Sequence, residues 1–125
     1  MKEYKVKVYN DGTKMWYLNG QLHREDGPAV EWPNGTKEWW LNGQLHRQDG
    51  PAVEWAGGGK KWYLNGQLHR EDGPAIEYAD GSKAWYLNGK EFTEKEFKQR
   101  TQSYKEVTVA QLEQELGYKI KIVKD

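Results

Sequence analysis

The chain has no cysteine. That excludes a disulfide framework and thiolate chemistry, and it makes a reducing cytoplasm the expected address. Long apolar runs are missing as well. No stretch approaches the ~18 apolar residues of a membrane span, and the first residues lack the apolar region of a signal peptide. An excess of one charge is also absent: 19 Lys plus Arg stand against 19 Asp plus Glu. A cut after Phe92 leaves 12 basic and 13 acidic residues before it, and 7 and 6 after it. Neither part carries the basic field of a duplex-binding protein, so neither nucleic acid nor membrane is an expected partner. Aliphatic side chains are too sparse for a thick two-layer core, and the mean hydropathy is −1.09. What the chain has instead is rings, seven Trp and eight Tyr. Each large ring buries roughly 150–250 Å², so a thin sheet stitched by aromatic pairs can hold with little aliphatic material.

One cassette recurs four times at a spacing of 23 residues. It places Asn19-Gly20, Asn42-Gly43, Asn65-Gly66 and Asn88-Gly89 in register, together with Trp16, Trp39, Trp62 and Trp85. Gly12, Gly35, Gly58 and Gly81 keep the same step. A period of this length means that each copy is one supersecondary unit, burying its apolar side only against its neighbours. Function is then sought on an extended repeated surface rather than in a pocket, which argues against an enzyme.

In the second copy Ala29-Val30-Glu31-Trp32 alternates, and Asn34-Gly35 offers a two-residue turn with positive φ at both positions. Thr36 to Leu41 follows as a second strand, Asn42-Gly43 turns again, and Gln44 to Arg47 returns. This reading opposes Trp32 with Lys37 and Val30 with Trp39; the later copies oppose Trp55 with Lys60, Val53 with Trp62, Tyr78 with Lys83 and Ile76 with Trp85. Around Asn42-Gly43 it opposes Trp39 with His46 and Trp40 with Leu45. The equivalent of His46 in the last copy is Phe92, opposite Trp85. Asp-Gly-Pro after each Arg forms a corner that re-aims the chain once per repeat. Tyr4 to Tyr9 reads as an N-terminal capping strand, with Tyr9 against Lys14.

The expected fold is mainly β: an elongated antiparallel sheet of 23-residue hairpin repeats over residues 1–92, then a small α/β cap over 93–125. In the cap, Thr93 to Glu96 is a capping box that opens a helix to about Gln102, with Phe92 and Phe97 as its staple. Thr108 to Gln111 is a second capping box, and Gly117 is the C-cap of that helix. Tyr118 to Val123 alternates as a final strand. Together these elements would cover an open sheet edge.

The chemistry-bearing residues are few. His23, His46 and His69 stand one per repeat, with no Cys, His-x-His or Glu-x-x-His beside them, so no metal site and no cofactor is expected. Asp26, Asp49 and Asp72 could orient them as bases, but no nucleophile accompanies them. Trp16, Trp39, Trp62, Trp85 and the three His therefore read as structural repeat positions, with the His ring against the Trp ring. On that view the precedent of Phe92 predicts that His46→Phe leaves a folded, active protein. Arg24, Arg47 and Arg70 form a row that could meet phosphates or carboxylates bidentately, or could pair with Glu31, Glu54 and Glu77. Tyr17, Trp40, Tyr63 and Tyr86 form a ring row that is either core or an interaction surface. Met15, Glu38, Lys61 and Ala84 share one register position and vary in charge and size, as the face of a binding module would. Glu38 and Lys61 join the Arg and ring rows as candidate binding residues.

The cassette Asn42-Gly43-Gln44-Leu45-His46-Arg47-Gln48-Asp49-Gly50-Pro51-Ala52 resembles the MORN-like repeats of small proteins from tailed phages and giant viruses. The resemblance spans about residues 9 to 92. Here His-Arg-x-Asp-Gly-Pro stands where MORN repeats carry His-Gly-x-Gly, so no lipid-binding role is carried over. The resemblance implies an elongated, non-catalytic sheet that binds other proteins inside an infected bacterium. The leading reading is a protein that docks on a host protein in that cytoplasm, and inhibition of host defence, in the manner of an anti-CRISPR, suits its size. A second copy of the chain is a further candidate partner. The alternative is capture of an anionic small molecule or nucleic acid by the Arg and aromatic rows.

Overall fold

Two kinds of glycine turn alternate along the chain, and between them they set the sheet. The computed structural model describes residues 2–102 and 106–121. The Asn-Gly turns have positive φ at both residues, for example 51° at Asn42 and 76° at Gly43. Such two-residue turns match the twist of the strands they join. They link β2 (Lys14–Leu18) to β3 (Gln21–Leu22), and β6 (Trp40–Leu41) to β7 (Gln44–Leu45). They also link β10 (Tyr63–Leu64) to β11 (Gln67–Leu68), and β13 (Lys83–Leu87) to β14 (Lys90–Phe92). Trp40 opposes Leu45 and Trp85 opposes Phe92, the register expected from the sequence.

The second kind of turn departs from that reading. It joins β1 (Tyr4–Val8) to β2, and β4 (Val30–Glu31) to β5 (Lys37–Glu38). It likewise joins β8 (Val53–Glu54) to β9 (Lys60–Lys61), and β12 (Ile76–Glu77) to β13. Three residues form each loop, not two. The Trp32 amide donates to Thr36 O at 2.9 Å and the Gly35 amide to Trp32 O at 3.0 Å. Only the glycine takes positive φ, 96° at Gly35. In this copy the residue before it supports the loop: Asn34 Oδ1 accepts the Thr36 amide at 2.9 Å, a local bond that leaves the left-handed step to the glycine, whereas the third copy forms the same loop with Gly57 there. Asp11 and Asp80 do the same for Thr13 and Ser82.

This one-residue difference moves every expected pair. Val30 opposes Glu38 rather than Trp39, and Glu31 opposes Lys37, so Trp32 does not face Lys37. Val53 opposes Lys61 and Ile76 opposes Ala84, not Trp62 and Trp85. Lys60 and Lys83 face Glu54 and Glu77 instead of Trp55 and Tyr78, and Lys14 faces Val8 instead of Tyr9. Because strand side chains alternate, the aliphatic row and the fixed Trp row now lie on opposite faces.

The main sheet runs β1-β2-β4-β5-β8-β9-β12-β13-β14, with β3 beside β2. Across it, charges alternate in sign from Lys14 to Glu31, Lys37, Glu54, Lys60, Glu77 and Lys83. Each such opposite-charge pair contributes roughly 0.2–1 kcal/mol. The buried aliphatic material is a single thin row, Ala29, Val30, Ala52, Val53, Ala75 and Ile76. The alanine carbonyls accept the amides of the fixed tryptophans: Trp16 to Ala29, Trp39 to Ala52 and Trp62 to Ala75, at 2.7 to 2.8 Å.

A second ladder ties consecutive repeats through their Asn-Gly hairpins. Gly43, Gly66 and Gly89 amides donate to Leu22, Leu45 and Leu68 carbonyls, at 2.8 to 2.9 Å. His23 Nδ1 accepts the Asn42 amide, His46 Nδ1 that of Asn65, and His69 Nδ1 that of Asn88, each at 2.9 Å. Thus the imidazoles bind the next repeat's backbone, whereas ring packing on Trp was the expectation. After Phe92 there is no further Asn-Gly amide to accept. Gly20, with no repeat before it, donates to nothing among the described residues.

Two capped helices follow, α1 (Glu94–Thr101) and α2 (Val109–Leu116), with N-caps Thr93 and Thr108 and a left-handed C-cap at Gly117. The helix α1 packs on β13 and β14, burying Phe97. The expected final strand does not form over Tyr118 to Lys121, where the Ile120 amide is taken by Glu113 at 2.8 Å. Ile122 and Val123 lie outside the described residues. No helix among the described residues is long and apolar enough to cross a membrane.

His46→Phe should therefore fold but lose about 1 kcal/mol in urea unfolding, the worth of one net hydrogen bond. Hydrogen exchange of the Asn65 amide should quicken in that variant, while Asn42 and Asn88 stay protected.

Candidate functional site

The pleat sorts the candidate residues onto two faces with different occupations. One face holds the fixed tryptophans, the histidines and the arginines. Arg24, Arg47 and Arg70 each lie flat over a tryptophan of their own repeat, with guanidinium-to-ring distances of 4.0 Å to Trp16, 3.8 Å to Trp39 and 3.9 Å to Trp62. Their Nε atoms donate to Asp26, Asp49 and Asp72 at 2.9, 3.2 and 2.8 Å. Their Nη1 atoms donate to the carbonyls of Pro28, Pro51 and Pro74 at 3.2, 3.0 and 3.1 Å. Glu31, Glu54 and Glu77 complete the cage at 3.9, 3.2 and 3.5 Å.

The corner is built for this. A Cβ on Gly27, Gly50 or Gly73 would stand 3.0, 3.0 or 2.9 Å from the guanidinium carbon, so any larger residue would push the arginine off its place. Beside Arg24, the Asp26 carboxyl is held below its ordinary value by that hydrogen bond and by the nearby charge. Glu25 is lowered mainly by its hydrogen bond from Lys2, then by His23. With Nδ1 accepting an amide, the imidazole proton sits on Nε2, which faces Glu25 or Glu71 at 3.3 Å in the first and third copies. Shallow grooves of about 600 and 690 Å³ run between consecutive corners, each lined by two Arg and two Asp. Their positive charge is already matched.

The other face carries rings. Tyr17, Trp40, Tyr63 and Tyr86 are half-buried on it. Tyr9, Trp32, Trp55 and Tyr78 stand more open, at 45, 38, 36 and 46% exposure. In the first three copies the variable residue touches one or both of the rings beside it. Glu38 accepts Trp32 Nε1 at 2.9 Å and Trp40 Nε1 at 2.8 Å, one on each carboxylate oxygen. Tyr17 donates to Met15 Sδ at 3.4 Å, and Lys61 Nζ lies 5.0 Å from the Trp55 ring centre. Burial, with Tyr86 nearby, pushes the Tyr63 hydroxyl above its ordinary 10.0. In the third copy Trp55 folds over Gly59, where a Cβ would come within 2.3 Å of the indole.

The structure thus separates the sequence-derived candidates. Tyr17, Trp40, Tyr63, Tyr86, Glu38 and Lys61 share the ring face, and the arginines are caged on the opposite one. Sequence reasoning missed Trp32, Trp55 and Tyr78 as surface rings, because the two-residue turn had opposed them with lysines. In three of the four copies what marks the longer loop is the Asx side chain bonded to the amide two residues on, a partner that the dipeptide itself does not reveal. Among the described residues no group of three or more His, Asp or Glu gathers as a metal cage. Compared with protein-family models, with curated proteins and with solved structures, the chain matches none.

Arg47→Lys should cost about 1–2 kcal/mol in urea unfolding, since a lysine keeps the charge but loses the stacking and the forked bonds. Because the Asp26 carboxyl is lowered in the folded state, its contribution is present above the ordinary aspartate value of 3.8. Thermal stability should fall as pH drops below that value, and less steeply in Asp26→Asn.

Proposed function

We propose that this protein is a non-catalytic binding module whose ring face docks on another protein. The observation that carries the reading is the division of labour between the faces. Arginine, histidine and the fixed tryptophans are spent on joining repeats, while eight rings gather on the other face with Tyr9, Trp32, Trp55 and Tyr78 open. Trp and Tyr in a row are the residue types that anchor protein interfaces at little entropic cost, and Glu38 fixes two of them, Trp32 and Trp40, by hydrogen bonds. The variable residues Met15, Glu38, Lys61 and Ala84 then supply selectivity from one repeat to the next.

The finer reading, a phage-made inhibitor that binds a host protein in the bacterial cytoplasm, rests on the resemblance of the Asn-Gly-x-Leu-His-Arg-x-Asp-Gly-Pro-Ala cassette and on the small size of the chain. Anion capture by the arginine row has less support. A phosphate would have to displace two carboxylates and a carbonyl from each guanidinium.

The test is affinity capture from bacterial lysate at high salt and after nuclease treatment, read by mass spectrometry. One protein retained by the wild type and by Arg47→Lys, but weakened about tenfold or more by Trp55→Ala, supports the ring face. A catch lost with salt or nuclease and indifferent to Trp55→Ala overturns it.

A further inference from the structure

The two ends of the sheet are finished differently. The β14 end is packed by α1. At the other end β1 pairs with β2 alone, and its outer edge meets no strand among the described residues. Five residues long, it equals the longest strands of the sheet. We propose that this edge is a second binding site, which takes an extended acidic segment of a partner protein as an added antiparallel strand.

Backbone direction comes first. Tyr9 donates its amide inward to Thr13 at 2.9 Å. Alternation then turns Lys7 and Lys5 inward too, leaving the amides and carbonyls of Tyr4, Val6 and Val8 pointing out. An added strand would find three outward residues, each offering a donor and an acceptor.

The side chains set the chemistry of that strand. Every internal pairing in the row that starts at Lys14 puts Lys against Glu, and β1 breaks the rule with Val8 opposite Lys14; in the neighbouring row Lys7 stands opposite Met15, with no acid across from it. Lys5 and Lys7 lie on the ring face, where Lys7 Nζ sits 4.9 Å from the Tyr17 ring centre. A hollow of about 490 Å³ beside the edge is lined by both lysines, Glu3, Tyr17, Asn19 and Gly20. Val6 and Val8, 44 and 65% exposed, lie on the opposite face. A strand that alternates acidic and apolar residues meets Lys5 and Lys7 with one side and Val6 and Val8 with the other. A second copy of β1 does not. Two-fold antiparallel pairing sets Lys5 against Lys7 twice, and like charges directly opposite are repulsive.

The probe is a capped octapeptide of alternating Glu and Val, titrated against the whole chain and followed by amide NMR. A Lys–Val octapeptide serves as control. Expected is binding of the Glu–Val peptide with shifts centred on Tyr4–Val8, at least about tenfold tighter than the control and weakened by salt. Val6→Pro removes an outward amide while leaving the inward ladder, so it should abolish binding with the fold kept. The double variant Lys5→Glu, Lys7→Glu should reverse the preference toward the Lys–Val peptide, which keeps the test open if the proline variant unfolds. Trp55→Ala should leave binding unchanged, which separates this edge from the ring face. Equal binding of both peptides, no binding, or shifts elsewhere would overturn the proposal. So would concentration-dependent dimers that Val6→Pro dissolves.

Discussion

Each repeat boundary depends on one neutral imidazole nitrogen. His23, His46 and His69 accept the Asn amide of the following hairpin, and beside that bond the glycine amide reaches back to a leucine carbonyl. A sheet with so little aliphatic core holds its units in line through such backbone contacts. The arginine corner sits directly after the histidine in sequence, so the same dipeptide links a repeat forward through its imidazole and folds it back through its guanidinium. Where the array ends both tasks lapse, and Phe92 and Thr93 stand in place of His and Arg. Phe92 is instead covered by Arg100 of α1, 4.7 Å from the ring centre.

Much of this was legible in the chain itself. The 23-residue step, the Asn-Gly hairpins with their register, both capping boxes and the mainly β architecture follow from spacing and turn chemistry. The pairing of Arg24, Arg47 and Arg70 with Glu31, Glu54 and Glu77 was one of two readings left open, and the geometry shows those pairs. The second turn was misread because Asn34-Gly35 looks like Asn42-Gly43. Only the partner of the asparagine side chain tells them apart, and that partner is a backbone amide two residues on. The final strand also failed. Alternation at Tyr118 to Lys121 was read as pairing, yet a strand needs a neighbour, and the Ile120 amide found a helix carboxylate instead.

Small differences between copies show how far the units are interchangeable. Thr36 Oγ1 accepts the Ala56 amide at 3.0 Å. One repeat earlier the equivalent donor is Pro33, which has no N–H, and Thr13 Oγ1 is buried without a partner among the described residues. In the third copy the threonine is Gly59 and the space is taken by the Trp55 indole. The strand scaffold tolerates all three solutions because its ladder bond here is backbone to backbone: the Tyr9, Trp32 and Trp55 amides reach the carbonyls of Thr13, Thr36 and Gly59 alike, at 2.9 Å. The ring face, by contrast, changes with each one, so neighbouring repeats present different surfaces on nearly identical backbone.

The Gly20 amide, which donates to nothing among the described residues, gives the four Asn-Gly pairs different chemical lifetimes. Deamidation begins when the glycine nitrogen attacks the asparagine side-chain carbonyl, expelling ammonia and closing a succinimide that water reopens to aspartate or isoaspartate. At Gly43, Gly66 and Gly89 that nitrogen is held in a hydrogen bond to the preceding repeat. At Asn19-Gly20 it makes no such bond among the described residues. A protein built from four copies of one turn therefore ages at the copy with no predecessor, and the negative charge so gained appears beside Lys5 and Lys7, at the lip of the same hollow.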